Sequence, residues 1–444
     1  MYKKYLGDLF VSLRFYVAMG ACVVFYVIAF FLPGFYSFAN IFFPVVLLLL
    51  LADYLFLFVF FKAPLAKRKV ADRLSNGEVN DITIELTNRM PFVIDLKIID
   101  ELPEQMQERE FLIKKRMQPS EKSVVGYKIT PQQRGVYGFG NILLFAQSQL
   151  GLVRRRQAIA AEEKVRVYPS FVNLGKYQIM SQATSSEQGS RRMRKIGHSM
   201  EFEQIKDYVS GDDIRTINWK ATARKGLLMV NNYVDERSQQ VYCIIDKGRL
   251  MKMPFYGLSL LDYAINATLA LTNVCLKKQD RIGLMTFSNK YGSVIAADRQ
   301  PVQRENIMQV LFNEKTGFPE SDMEMLYMQI RAKVKQRSLL VLFTNFESLN
   351  GLKRQINYLR SIAKHHLLLV VFFENTELTK LGTEEARNVE DVYVKAIAEK
   401  LSYEKRLVVK ELKKYGILSV LTSPQNLTVN TINKYLELKA RQAI

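Results

Sequence analysis

Histidine, cysteine and tryptophan are scarce in this chain of 444 residues, which holds three His, three Cys and a single Trp. His198, His365 and His366 leave little material for histidine-based hydrolysis or zinc chemistry. Cys22, Cys243 and Cys275 show no metal-ligand spacing and imply no disulfide framework, which suits a reducing compartment. Phosphate-cradling loops are missing too. Gly175-Lys176-Tyr177 lacks the hydroxyl and the preceding glycine of a Walker loop. Neither His-Glu-x-x-His nor Gly-x-Ser-x-Gly occurs. The pair His365-His366 reads as a helix end ahead of an apolar strand. No catalytic residue and no cofactor is assigned, and the chain is read as a non-enzyme.

Long hydrophobic runs are also absent after residue 62, but two precede it. Phe15 to Leu32 is almost wholly apolar, and Asn40 to Phe61 forms a second run beyond Pro33-Gly34. Each is long enough to cross a bilayer, which takes about 20 residues of helix. No small-residue cleavage site follows the first, so residues 15–61 are expected to form a transmembrane hairpin. Lys3, Lys4 and Arg14 precede it, and Lys62, Lys67, Arg68 and Lys69 follow, while the connecting loop carries no base. The positive-inside bias places residues 1–14 and everything after the hairpin in the cytoplasm, as a multi-pass protein of the inner membrane. Asp53 interrupts the second run. It is read as neutral, or as hydrogen-bonded to a neighbouring hydroxyl or a second chain.

The formal net charge is +20, which favours an anionic partner. Bases cluster beside the apolar runs, so a membrane surface is favoured over nucleic acid. A cluster at Arg191, Arg192, Arg194 and Lys195 has neither aromatic platforms nor a reading helix beside it. Arg154, Arg155 and Arg156 are read as a solvated or phospholipid-facing patch.

Over residues 70–170 the pattern alternates with period two. Ile82, Ile84 and Leu86 alternate with Thr83 and Glu85, then come Phe92, Ile94, Leu96 and Ile98, and later Val125, Tyr127 and Ile129. Asn76-Gly77, Met90-Pro91, Gln118-Pro119-Ser120 and Arg134-Gly135 separate the runs. Short strands at this spacing predict a small β-sandwich. Residues 171–200, rich in Ser, Gln and Gly, read as a linker.

Residues 201–238 hold a dense charged motif. Ser210-Gly211-Asp212-Asp213 reads as a helix start, Ile214, Ile217 and Ala221 recur at helical spacing, and Arg224-Lys225-Gly226 reads as the stop. Trp219 and Tyr208 are expected to anchor this helix to the neighbouring domain. The opposed charges serve either as an ion-pair lattice bracing the connector or as a docking surface. The docking candidates are Asp212, Asp213, Arg215, Trp219 and Arg224. The stretch Tyr208-Val-Ser-Gly-Asp-Asp-Ile-Arg-Thr-Ile-Asn-Trp-Lys-Ala-Thr-Ala-Arg resembles the signature of the domain-of-unknown-function 58 (DUF58) family. The resemblance implies two N-terminal transmembrane helices, a β domain, this motif and a von Willebrand factor A-like domain. It also implies a MoxR-type AAA+ ATPase as partner, with other von Willebrand A-domain membrane proteins as further candidates.

After residue 239 strands alternate with helices to the C-terminus, predicting a doubly wound α/β sheet. Strands are expected at 241–245, 281–287, 293–297, 339–343, 367–373 and 417–421, with helices at 258–276, 303–312, 323–335 and within 384–415. Such sheets bind at the carboxyl ends of their strands. The resemblance implies a divalent-metal loop there, but the residues depart from its pattern. Asp246 is kept, Gly248 and Leu250 stand where hydroxyls are expected, and Asn345 stands where an acid is expected. Lys247 and Arg249 add positive charge. A degenerate site without metal follows, with Asp246 expected to pair with Lys247, Arg249 or a partner's base. The function expected is a membrane-anchored protein–protein interaction module, an adaptor or assembly partner of the ATPase. The alternatives are a metal-dependent adhesion-type module and a membrane enzyme acting on envelope substrates.

Overall fold

A computed structural model describes residues 7–60, 62–107, 111–169, 200–209, 212, 214–235, 239–377 and 388–441. The chain divides into two compact units, Met1–Ser170 and Phe171–Ile444. Most of the linker expected over 171–200 lies outside the described residues, as do Ser210, Gly211 and Asp213.

The first unit opens with a strand where only a cytosolic tail was expected, β1 (Leu9–Val11). Three residues are too few for alternation to show in sequence. Helix α1 (Leu13–Phe31) follows directly. After a turn at Pro33–Phe35 comes α2 (Tyr36–Leu55), extended by a π-helical turn, Phe56–Phe60. Phe25 packs edge-on against Phe38 and Phe42, and the Tyr26 hydroxyl donates to Asn40 at 3.2 Å, so the two helices form a hairpin. Both are long and apolar enough to cross a membrane. Their outward side chains are bare, Phe30 at 82% and Leu13 at 74% exposure, an arrangement that calls for an apolar surrounding.

The strands that follow are β2 (Leu65–Lys69), β3 (Arg73–Ser75), β4 (Asn80–Thr87), β5 (Ile94–Asp100) and β6 (Ile113–Met117). Then come β7 (Lys122–Ile129), β8 (Gly135–Phe139), β9 (Ile142–Gln147), β10 (Val153–Ile159) and β11 (Glu163–Tyr168). They form three sheets, β1-β10-β9-β5-β6, β2-β4-β7 and β3-β11-β8. The alternating residues Ile82, Ile84, Leu86, Ile94, Leu96 and Ile98 all point into one core, which also takes Leu57 and Phe58 from the end of the second apolar helix. The β region therefore begins before residue 70 and borrows both β1 and that helix end. Inside it the Arg68 guanidinium pairs with Asp100, which also accepts the Tyr127 hydroxyl. Arg68 donates further to the carbonyls of Ala161 at 2.6 Å and Gly140 at 3.0 Å, so this buried ion pair is well supplied with hydrogen bonds.

The second unit begins with a two-stranded ribbon, β12 (Met200–Asp207) and β13 (Met229–Asp235), with a short helix α3 (Trp219–Lys225) between its strands. An α/β region follows: β14 (Gln240–Asp246), the two-residue strands β15 (Pro254–Phe255) and β16 (Leu258–Ser259), α4 (Leu260–Lys277), β17 (Arg281–Phe287) and β18 (Tyr291–Asp298). It continues with α5 (Val302–Asn313), α6 (Met323–Lys333), β19 (Leu339–Phe343), α7 (Leu349–His365), β20 (Leu367–Phe373), α8 (Val389–Lys414), β21 (Leu418–Thr422) and α9 (Leu427–Ala440).

The main sheet runs β18-β17-β14-β19-β20-β21, and only β18 pairs antiparallel. Its parallel inner strands are buried along their length, which is why they read as unbroken apolar runs. Tyr242 and Ile244 face α6, α7 and α8, while α4 packs against β14 and β17 and is itself covered by α9. Helix α9 has no counterpart among the expected elements, since its Thr, Asn and β-branched residues are weak helix formers. Tertiary contacts hold it: the Tyr435 hydroxyl donates to Asp280, and Lys439 reaches the same carboxylate at 2.8 Å.

Candidate functional site

The charged motif occupies the excursion between β12 and β13. Its neck is closed by the Tyr208 amide donating to the Leu228 carbonyl at 2.8 Å. Asp212 pairs with Lys206 at 2.7 Å and accepts the Val209 amide at 3.1 Å, so it shapes a turn. The helix does not start there. Ile214–Thr216 form a 3-10 turn, and the cap is Asn218, whose side chain accepts the Ala221 amide at 3.0 Å. Asn218 also donates to Asn231 at 2.8 Å, tying the helix start to β13. The stop is as expected: Gly226 sits at φ 70° and its amide reaches the Thr222 carbonyl. Lys225 pairs with Asp207 at 3.0 Å.

Part of the charge is thus spent on local pairs. Large apolar side chains are bare on the motif as well as charged ones. Trp219 and Ile214 are each 70% exposed, and Val209 and Leu227 exceed 60%. The expectation that Trp219 anchors the helix to a neighbouring domain is corrected, since its indole faces outward. Arg215 and Arg224 on the same motif are also exposed. Asp213 lies outside the described residues.

A second cluster lies at the carboxyl ends of the parallel strands. Asp246 ends β14 and is buried. It accepts the Ser321 hydroxyl at 2.6 Å, the Thr344 hydroxyl at 2.7 Å and the Gly248 amide at 2.8 Å. Burial pushes its carboxyl above the usual range, against the pull of those three donors. The expected pairing of Asp246 with Lys247 or Arg249 is corrected: Lys247 turns to Glu314, and Arg249 reaches Glu320 at 3.4 Å. Opposite charges close together in one loop suggest that pairing, but Glu314 and Glu320 compete for the two bases.

A Cβ at Gly248 would lie 1.8 Å from the Ser321 hydroxyl oxygen, so any side chain there forces Ser321 to move. The Ser321 hydroxyl, from a distant loop, thus occupies the space a side chain at position 248 would need. The Leu250 carbonyl lies 3.4 Å from the Asn345 amide nitrogen, and the Asn345 side-chain oxygen accepts the Phe346 amide at 3.0 Å. Among the described residues no group of three or more His, Cys, Asp or Glu is placed to hold a metal.

Sequence reasoning missed Lys405. It lies in the charged helix α8, where a lysine among Glu, Lys and Arg reads as solvated. Its ammonium donates to the Asn345 side-chain oxygen at 2.5 Å and lies 5.9 Å from the Phe372 ring centre. Burial lowers its pKa to about 8, opposed by Glu347 and Glu374. It borders a cavity of about 250 Å³ walled by Met253, Phe255, Leu260, Phe373 and Leu401. A mostly apolar cleft with few polar groups at the strand ends is the usual form of a binding site in such a sheet.

These features define a chain with two long apolar helices, a β-rich region and an α/β region carrying a projecting motif. The family described as "Protein of unknown function DUF58" matches it over residues 204–403. It is similar to the "Uncharacterized protein YeaD" of Bacillus subtilis (strain 168), 21% identical over 224 residues, covering 49% of this chain and 54% of that protein. The chain therefore spans about half the length of that relative. Among solved structures, the conserved hypothetical protein BatB of Bacteroides thetaiotaomicron matches 46% of this chain and 99% of its own at 11% identity, with a TM-score of 0.30. The CARDB domain of PF1109 from Pyrococcus furiosus matches 24% of this chain and 90% of its own at 15% identity, with a TM-score of 0.18.

Proposed function

We propose that this chain is an inner-membrane protein whose soluble parts face the cytoplasm and serve as a protein–protein interaction module. In this reading the helix pair spans the membrane, the β-rich region is a sandwich, and the α/β region is a von Willebrand A-like domain without its metal. The partner is a MoxR-type AAA+ ATPase, for which the chain acts as adaptor or assembly factor. The observation that carries the docking reading is the exposed apolar group Val209, Ile214, Trp219 and Leu227 on the motif. A large aromatic bared on a motif with exposed arginines is the composition of an interface anchor. The strand-end crevice around Lys405 supplies a second contact face.

Crosslinking of the tagged full-length protein in cells, followed by mass spectrometry, tests this. Enrichment of an AAA+ ATPase with crosslinks in residues 201–226 or at the strand-end loops is the expected result. Trp219→Ala and Arg215→Glu should reduce that enrichment while the melting temperature holds. Loss of binding together with stability, or crosslinks confined to the chain itself, would make the motif a brace and end the adaptor reading.

A further inference from the structure

We propose that the outer face of the β1-β10-β9-β5-β6 sheet docks on anionic phospholipid headgroups of the membrane that α1 and α2 cross; the proposal rests on reading those helices as membrane spans. One face of this sheet is core, with Ile94, Leu96, Ile98, Leu144, Ala146 and Val153 buried. The register sets out the other. In one row Phe10 stands opposite Arg154, Arg154 opposite Gln147, Gln147 opposite Asp95 and Asp95 opposite Arg116. In the next, Arg156 stands opposite Phe145, Phe145 opposite Lys97 and Lys97 opposite Lys114. Asp95 is the acid within this field, with Asp8 at its edge, where the Asp8 carbonyl accepts the Arg156 amide.

Like charges directly across a ladder destabilise it. Lys97 and Lys114 nevertheless stand opposite one another, and the Lys97 ammonium is pushed down by burial, Arg154 and Lys114. An anion bound over these rows relieves that repulsion.

The anion's source follows from where the sheet is held. Only Ser12 separates Val11 of β1 from Leu13 of α1. At about 3.3 Å per residue, the Phe10 row lies within roughly 10 Å of the start of the helix at Leu13 and the Arg156 row within roughly 17 Å. Each leaflet's headgroup layer is about 5–8 Å deep, and charge is felt about 8 Å further at physiological salt. The Phe10 row is inside that reach and the Arg156 row stands at its edge. The spacing is rigid: Arg14 donates to the Gln149 and Leu150 carbonyls at 3.2 and 3.3 Å, and Ser12 donates to Gly151. Phe10, 42% exposed and edge-on to Phe145, adds an aromatic at the level where membrane proteins carry them.

The test uses the full-length protein in nanodiscs of phosphatidylcholine, with or without phosphatidylglycerol, and follows acetylation of Lys97 and Lys114 by mass spectrometry against Lys164. Phosphatidylglycerol should slow both lysines about fivefold relative to Lys164, and about 1 M NaCl should abolish the difference. Arg154→Gln/Arg156→Gln should lose at least half of the effect. Equal rates in both lipids would overturn the proposal, as would the same protection from soluble glycerophosphate in phosphatidylcholine discs, which would make the ligand a free phosphate. A chain that fails to enter nanodiscs at all would instead defeat the membrane reading beneath it.

Discussion

The Asp53 carboxylate of the second apolar helix accepts the hydroxyl of Ser148, a residue 95 positions further along the chain. The same carboxylate takes the amides of Leu152 and Val153, each at 2.9 Å. An acid near the end of a membrane-length helix is thereby converted into the joint between that helix and the β region.

Replacing Asp53 should loosen this joint. Asp53→Leu takes the acceptor from the Leu152 and Val153 amides and from the Ser148 hydroxyl proton, at about 1–3 kcal/mol for each buried group left unsatisfied. Ser148→Ala, which keeps the Leu152 and Val153 amides on Asp53 and loses the Gly151 amide bond to the hydroxyl, should cost less, about 1–2 kcal/mol. Thermal unfolding of the detergent-solubilised protein checks the order; an Asp53→Leu variant as stable as wild type would refute the joint.

Arg68 and Asp100 are both buried within the β core. Arg68→Met strands a carboxylate and should destabilise by about 3–5 kcal/mol, whereas Arg68→Met combined with Asp100→Leu should recover only part of that loss, because the buried Tyr127 hydroxyl then lacks its acceptor. Urea unfolding of the single and double variants measures the difference, and equal losses in the two would show that packing, not charge, dominates.

The raised Asp246 carboxyl makes a pH signature. A buried acid with a raised pKa holds its proton more tightly folded than unfolded. Above the ordinary Asp value of about 3.9, stability therefore falls as pH rises through the window up to the raised value. Asp246→Asn removes this dependence, so it should gain on wild type as pH climbs above the ordinary Asp value of about 3.9. Melting curves at matched pH decide it; a gap that does not change with pH would mean that the folded pKa is ordinary.

The same geometry bears on metal. With the Asp246 carboxylate spent on Ser321, Thr344 and Gly248, calorimetric titration with Mg²⁺ should show no saturable site of sub-millimolar affinity. Gly248→Ser should not create one, because its Cβ would meet the Ser321 hydroxyl. A saturable heat in either protein would contradict the arrangement.

Lys405 carries the opposite sign. Its pKa of about 8 lies below that of a free lysine, so the folded state binds fewer protons than the unfolded state between about 8 and 10.4. Stability should rise with pH across that window, and at neutral pH the full penalty of burying the ammonium is present. Lys405→Met should therefore be the more stable protein at about pH 7, with its lead shrinking toward pH 10. A lead that stays constant with pH would show that the ammonium is ordinarily solvated.

The elements that carry their pattern locally were legible in the sequence. The apolar runs before residue 62 needed only their length to be read as membrane-sized helices. Ile82-Thr-Ile-Glu-Leu86 showed a half-buried strand by alternation, and Leu339–Phe343 showed a strand buried on both faces by its lack of alternation. Gly248 and Leu250 could be read directly as residues without a hydroxyl. What sequence could not supply was which distant group meets which. Asp53 was readable as an intruder in an apolar run, but its Ser148 partner depended on how the helix enters the β core. The Ser321 hydroxyl filling the space over Gly248, the Lys405 ammonium brought to Asn345, and the outward Trp219 indole were all decided by tertiary packing. Local periodicity specifies which face of an element is apolar, whereas the partner of a buried polar group is set only when separate elements close on one another and leave it no water.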